Sequence, residues 1–366
     1  MKVLVSAFSS LATDQRIEKV CQTLYNNGYQ IELIGNDWGG ATPMQRPYPF
    51  TRIQQRATSL KTAYPEFNWK LYQLLKQKAD KNTILLANDL DALWPNVLVA
   101  KKLQIPLVFD SHEIYTEMPA LQGRFTQKIW RWLENKLLPR LPYMMTESES
   151  YAEWFRQKYQ VDPVVIRNIP RKLPAPRQLP VNDPKILLYQ GAINQSRGIP
   201  QTVLAMKDLN HVIFKIAGDG PKRKEYENLV RQENLTDKVI FLGKLLPEDL
   251  RKVTATADAA ISLEENGGVS YLYSLPNKVG DCIQARVPLV LINFPEMKRI
   301  YNRFRVGEMT ESHEPAEIAA KIRTVLANGR QFYQKALNAA AEEYCWEQDE
   351  ARLLQLFARV QAENFK

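Results

Sequence analysis

The residues best suited to chemistry lie where apolar runs give way to helical stretches. In the second half of the chain, Gly191 ends one such run and Arg197-Gly198 opens a helix. A glycine lets the backbone come close to a ligand, and the free N–H groups at a helix start attract an anion. The planar guanidinium of Arg197 matches phosphate oxygens. Ser274-Leu275-Pro276-Asn277-Lys278 precedes another apolar helix. Proline favours a helix start, so Asn277 and Lys278 would sit at the positive end of the helix dipole, where a diphosphate is stabilised. Gly218-Asp219-Gly220-Pro221 follows a strand and opens a further helix. In the first half, Asp110-Ser111-His112-Glu113 follows an apolar strand; His112 is one of 3 histidines, and His211 and His313 lie in plain surroundings. Histidine donates or accepts near neutral pH. The bland counterparts are a solvated arginine after a turn, a surface lysine after a cap, and a packed histidine.

Other chemistries lack their signatures. No G-x-G-x-x-G follows the first strand, which argues against a dehydrogenase, and no G-x-S-x-G elbow occurs. Asp89-Leu90-Asp91 has the form of a D-x-D metal motif, but it opens a helix in the first half. We read its carboxylates as capping or cleft-lining, with no metal. Cys21, Cys282 and Cys345 are too scattered for a zinc site and fit a reducing compartment. The net charge of +9 favours anionic partners. The basic residues are dispersed and form no recognisable nucleic-acid motif, so no nucleic acid is expected. Met1-Lys2 runs straight into Val3-Leu4-Val5, so we expect no signal peptide. No apolar run approaches the ~20 residues that cross a bilayer. The expected location is the cytoplasm, with contact at the inner face of the membrane left open.

These residues need a scaffold, and the apolar pattern supplies one. Short runs at Val3–Val5, Ile31–Ile34, Thr83–Leu86, Pro106–Phe109, Tyr143–Met145 and Val164–Ile166 read as strands separated by helices. Strands that apolar belong to a parallel sheet covered on both faces. Pro170, Pro174, Pro176, Pro180 and Pro184 then exclude helix and central strand, which marks a linker. The rhythm resumes at Ile186–Tyr189, Val212–Ile216, Val239–Leu242, Ala259–Ser262 and Leu289–Ile292. With 366 residues and roughly 150 per domain, the fold class is α/β, with two facing Rossmann-like domains. We expect these at 1–170 and 171–345, with a final helix at 346–366 packing back on the first. Ligands bind beyond the carboxyl ends of such strands, so a cleft between the domains is expected.

The ordered set of segments resembles the family-4-like (group 1) retaining glycosyltransferases of the GT-B fold. The resemblance rests on Asp14-Gln15-Arg16, Asp110-Ser111-His112-Glu113, Tyr189-Gln190-Gly191, Arg197-Gly198, Ala217-Gly218-Asp219-Gly220-Pro221, Val239 to Gly243, Ser274 to Lys278 and Trp346-Glu347. It implies transfer of a sugar from a nucleotide-diphosphate sugar to a glycan or lipid-linked glycan. It also implies retention at the anomeric carbon, no metal and no other cofactor, and polysaccharide biosynthesis as the usual outlet. Carried over position by position, Gly191, Arg197, Gly198, Gly218, Gly220, Asn277, Lys278 and Asp281 would bind the donor. Asp14, Arg16 and Glu113 would meet the acceptor, and His112 would face the donor sugar. The chain departs from the pattern at Ala192, where many relatives have a second arginine. It departs again at the family's pair of glutamates. Counting back from Pro288, Asp281 falls on the second glutamate position and Tyr273 on the first. Glu264 and Glu265 lie just upstream, and Glu265 is the preferred substitute catalytic carboxylate. An epimerase on the same fold and a non-catalytic binding protein that kept the cleft are the rival readings.

The stretch from Arg124 to Tyr143 interleaves Phe125, Ile129, Trp130, Trp132, Leu133, Leu137 and Leu138 with Arg124, Lys128, Arg131, Lys136 and Arg140. A basic amphipathic helix with tryptophan lies in a membrane interface; a core-facing helix with snorkelling cations has the same composition.

Overall fold

A computed structural model describes residues 1–12, 14–36 and 43–365. The chain forms two compact units, one of Met1–Asn168 with Asp349–Lys366 and the other of Ile169–Gln348.

The first unit holds a seven-stranded sheet of β1 (Lys2–Ser10), β2 (Gln30–Asn36), β3 (Phe50–Ile53), β4 (Thr83–Asn88), β5 (Leu107–Ser111), β6 (Tyr143–Thr146) and β7 (Val164–Val165). Their spatial order is β3-β2-β1-β4-β5-β6-β7, and every pairing is parallel. The central strands are buried on both faces; Val3, Leu4, Val5, Ile84, Leu85 and Leu86 are fully buried. The chain crosses from one side of the sheet to the other between β1 and β4, a switch point that leaves the carboxyl ends free for function.

The second unit repeats the plan with six strands: β8 (Lys185–Gln190), β9 (Val212–Ala217), β10 (Val239–Gly243), β11 (Ala259–Ser262), β12 (Leu289–Ile292) and β13 (Gly307–Thr310). The order is β10-β9-β8-β11-β12-β13, again parallel throughout, with its switch point between β8 and β11. Two strands escaped the sequence reading, β3 with the sequence FTRI and β13 with GEMT. Both are sheet edges, where one flank has no neighbouring strand and a continuous apolar run is not required.

Helix termini follow the local chemistry. Asp14 caps the helix Gln15–Asn26, and Gly28, at φ 85°, lets the chain turn out of it. Trp346 is fully buried and opens the last helix, Trp346–Asn364. From Asp349 onward that helix belongs to the first unit. There Asp349 pairs with Arg167 at 3.0 Å, Thr23 Oγ1 donates to Glu350 at 2.9 Å, and Tyr143 donates to Glu363 at 2.6 Å. Leu353, Leu356, Phe357 and Val360 fill the space behind these contacts.

Candidate functional site

On the second unit, three neighbouring strand ends come together. Gly191 follows β8, Gly218 follows β9, and Glu264 lies just beyond β11. A Cβ on Gly218 would lie 1.8 Å from the Gly191 carbonyl oxygen, so the two turns touch through bare backbone. Gly198, at φ 68°, has the same constraint, since a Cβ there would lie 2.3 Å from the Leu263 carbonyl oxygen. A cavity of about 660 Å³ opens beside these turns, lined by Gly191, Gly218 and Gly220 together with Lys244, Leu245 and Leu250. Lys244, Leu245 and Leu250 were not singled out from the sequence; the signal available was their place in the turn and helix after β10.

Lys278 stands in the first turn of the helix Asn277–Gln284 and is 8% exposed. Its Nζ donates to Glu264 Oε1 at 2.8 Å and lies 4.1 Å from the centre of the Tyr189 ring. The Arg197 guanidinium sits 4.8 Å from the Tyr271 ring centre, with Nη1 3.9 Å from Glu264 Oε1. Asn277 is exposed at the start of the helix. Asp281 accepts from Gln190 Nε2 at 2.8 Å, which ties it to the end of β8.

The carboxylate that meets the two cations is Glu264, where the sequence reading preferred Glu265. Glu264 and Glu265 follow just after β11 and differ in burial. Glu264 turns inward, 1% exposed, and accepts from Ser262 Oγ at 2.7 Å as well as from Lys278. Glu265 is half-buried, and its Oε1 accepts from Gln201 Nε2 at 3.3 Å. Burial pushes the Glu264 carboxyl up, but Lys278, Ser262 and Arg197 outweigh it and hold it below the ordinary value.

On the first unit, His112 lies at the carboxyl end of β5. Its Nε2–H donates to Asn88 Oδ1 at 3.1 Å and Asp110 Oδ2 at 3.2 Å. Nδ1 lies 3.4 Å from Asp89 Oδ2, and the backbone N–H donates to Asp89 Oδ1 at 2.9 Å. Acceptors thus face both ring nitrogens. Burial disfavours the charged ring, but Asp89 and Asp110 outweigh burial and raise its pKa to about 10. The carboxylates around the ring favour its charged form at neutral pH.

Arg16, expected to meet the acceptor, is held inside the first unit. It is 2% exposed, pairs with Asp110 through Nε at 2.9 Å and Nη2 at 2.6 Å, and donates to the Ile166 carbonyl. Its side chain is spent on holding Asp110, which in turn holds His112. Asp14 is a helix cap: Oδ1 accepts from the Arg16 and Ile17 N–H groups, both at 3.1 Å, and Oδ2 from Ser9 Oγ at 2.8 Å. Glu113 is exposed next to His112. Glu147, which follows β6, went unnoticed in the sequence. Its place beyond a strand end, like that of His112 beyond β5, was the available clue. Burial, with Arg16 and His112 opposing it and Glu113 and Asp89 adding to it, pushes its carboxyl up to about 8.

The helix Phe125–Leu137 has both a packed and an exposed side. Gln127, Glu134 and Leu137 are buried and Trp130 packs edge-on against Tyr64 and Tyr115, whereas Phe125, Ile129 and Trp132 are exposed at 74%, 52% and 57%. Their spacing puts them on one stripe, and Lys128 and Arg124 are exposed along the same helix start. Lys136 Nζ lies 4.8 Å from the Trp132 ring centre. Among the described residues, no helix is long and apolar enough to cross a membrane.

Residues 173–343 match the family profile described as glycosyl transferases group 1, and residues 15–171 match that described as glycosyltransferase family 4. An alpha-D-kanosaminyltransferase of Streptomyces kanamyceticus is 22% identical over 272 residues, covering 68% of each chain. A sucrose-phosphate synthase structure from Thermosynechococcus elongatus superposes with a TM-score of 0.81 at 14% identity, over 99% of this chain and 100% of that one. HepE from Anabaena, solved with UDP and glucose, superposes with a TM-score of 0.74 at 15% identity, over 98% of this chain and 100% of that one.

Proposed function

Because the chain belongs to the group 1 glycosyltransferases of the GT-B fold, we propose that it moves a sugar from a nucleoside-diphosphate sugar on its second unit to a glycan or lipid-linked glycan on its first, with retention and without a bound metal. The observation that carries the donor half is the buried Lys278 ammonium beside the Gly191–Gly218 backbone contact. Cations held in advance at that place stabilise the charge that grows on a departing diphosphate. Arg197 and Asn277 assist Lys278. Gly191, Gly198, Gly218 and Gly220 admit the donor to the backbone, and Asp281 accepts from the ribose hydroxyls. HepE was solved with UDP and glucose, which makes UDP-sugars the first donors to try.

On the first unit, His112 supplies a fixed positive charge next to the reacting sugar, and Glu113 contacts the acceptor. The charge of His112 is sustained by Asp110 and Asp89, so its role is electrostatic rather than proton transfer. The test is a thermal-shift panel of UDP-, GDP-, ADP- and dTDP-sugars followed by turnover with acceptor. A ligand at a hundred times its Kd stabilises by about 2.7 kcal/mol. No shift with any member of the panel counts against the donor assignment.

We further propose that the protein works in the cytoplasm against the inner face of the membrane. The exposed Phe125, Ile129 and Trp132 stripe with its basic neighbours supports this, since such a face combines apolar burial with attraction to anionic lipid. Co-sedimentation with anionic liposomes at low salt is expected, and its absence contradicts the membrane reading.

A further inference from the structure

A buried carboxylate under two cations is not needed to bind a diphosphate, and its electrostatic field opposes one. Glu264 is nevertheless 1% exposed directly against Lys278. Both of its oxygens are engaged, Oε1 by Lys278 at 2.8 Å and Oε2 by the Ser262 hydroxyl at 2.7 Å. Its backbone is fixed too, with His313 Nε2 3.2 Å from the carbonyl oxygens of Leu263 and Glu264. A carboxylate held this way is oriented toward the lysine.

The lysine is constrained from its other sides. The Tyr189 ring lies 4.1 Å from Nζ, and a Cβ built on Gly191 would come within 3.7 Å of Lys278 Cε. An ammonium has three N–H donors. One goes to Glu264, and the Tyr189 ring lies beside the same nitrogen, so Nζ is held between a carboxylate and an aromatic face. Arg197 is placed by a second aromatic ring, Tyr271, and by the same Glu264 oxygen at 3.9 Å. Two cations against one carboxylate leave a surplus positive charge for an incoming diphosphate.

We propose that Glu264 is a positioning residue for the leaving-group cations, acting through Lys278 and Arg197 instead of contacting the donor sugar. This rests on the reading of the second unit as the nucleotide-sugar site. It gives the chain a different solution from a sugar-binding glutamate at the position occupied by Tyr273. Without a counter-ion, a buried ammonium leaves its pocket or loses its proton. With one, it stays charged and in place before the donor arrives.

The experiment compares wild type, Glu264→Gln, Lys278→Met and the double variant, measuring UDP and GDP affinity by calorimetry and kcat and KM with the corresponding sugars. In Glu264→Gln, kcat is expected to fall about tenfold or more, the scale of a lost charged hydrogen bond, and nucleoside diphosphate affinity is expected to fall with it, because the unpaired ammonium leaves its place or loses its charge. In the double variant, kcat is expected to match that of Lys278→Met alone, since a residue acting through the lysine has nothing left to position. The double variant also removes the unpaired charge, so it tests the proposal even if Glu264→Gln folds poorly. A raised sugar-donor KM with unchanged kcat and UDP affinity overturns the proposal in favour of direct sugar contact. Losses that simply add in the double variant, or a lowered melting temperature with unaltered kcat, also overturn it. A wild-type protein that neither binds nor turns over any donor removes the donor-site reading itself, which distinguishes that failure from a failure confined to the variants.

Discussion

Arg16 and Asp110 meet at two points, 2.9 and 2.6 Å, although 94 residues separate them in the chain. The contact joins the first helix to the end of β5 and fixes the carboxylate that accepts from His112. Both groups are buried, and breaking a buried pair by removing one partner costs roughly 3–5 kcal/mol. Arg16→Met is therefore expected to lower stability by about that amount in urea titrations. Stability equal to that of wild type contradicts this role.

The histidine cluster sets a pH window. The His112 pKa is raised to about 10, so its contribution is complete below its ordinary value of 6.5 and is lost as pH rises toward 10. For Asp110, burial is outweighed by Arg16 and His112, and its pKa is lowered to about 2. Its contribution is complete above the ordinary 3.8 and is lost as pH falls through 2. Urea melts across pH should show an alkaline decline that is blunted in His112→Asn. An alkaline limb of the same size in the variant contradicts the assignment. The pH–rate profile of wild type should show no inflection near 6.5 that disappears in His112→Asn.

Much of this was legible in the sequence because strand ends and glycine turns announce themselves through apolar runs that stop abruptly. Lys278, Gly191 and Gly218 came together as expected from their places after strands or at a helix start. Direction was not legible. Glu264 and Glu265 are chemically alike and adjacent, and only the geometry beyond β11 decides which turns inward. Arg16 looked available because nothing in its neighbourhood reveals that Asp110, far along the chain, occupies it. The helix from Phe125 stayed open between two readings for the same reason, since its periodicity shows a stripe but not which way it faces.

Glycine turns offer a stability contrast. Gly28 and Gly218 both have positive φ, 85° and 152°, but a Cβ on Gly28 meets nothing within 4 Å, whereas one on Gly218 would lie 1.8 Å from the Gly191 carbonyl oxygen. Gly28→Ala should cost about 1–2 kcal/mol from backbone strain alone. Gly218→Ala should cost more and should also abolish nucleotide binding. Equal melting temperatures in the two variants contradict the close-contact argument.

The two cations should differ in weight. Lys278 is 8% exposed, while the Arg197 side chain is 22% exposed and farther from Glu264. Lys278→Ala is expected to cut nucleotide-sugar affinity about tenfold or more, the scale of a charged hydrogen bond, with a smaller loss for Arg197→Ala. Unchanged affinity and turnover in both removes the phosphate assignment.

The most direct measurement is nucleoside diphosphate release from UDP-, GDP-, ADP- and dTDP-sugars, with and without oligosaccharide or lipid-linked acceptor, in wild type and Lys278→Ala. The expected result is acceptor-stimulated release with one nucleotide class, a sugar-extended acceptor, and loss of both in the variant. Isomerised sugar without release, or nucleotide binding with no turnover under any pairing, contradicts the account.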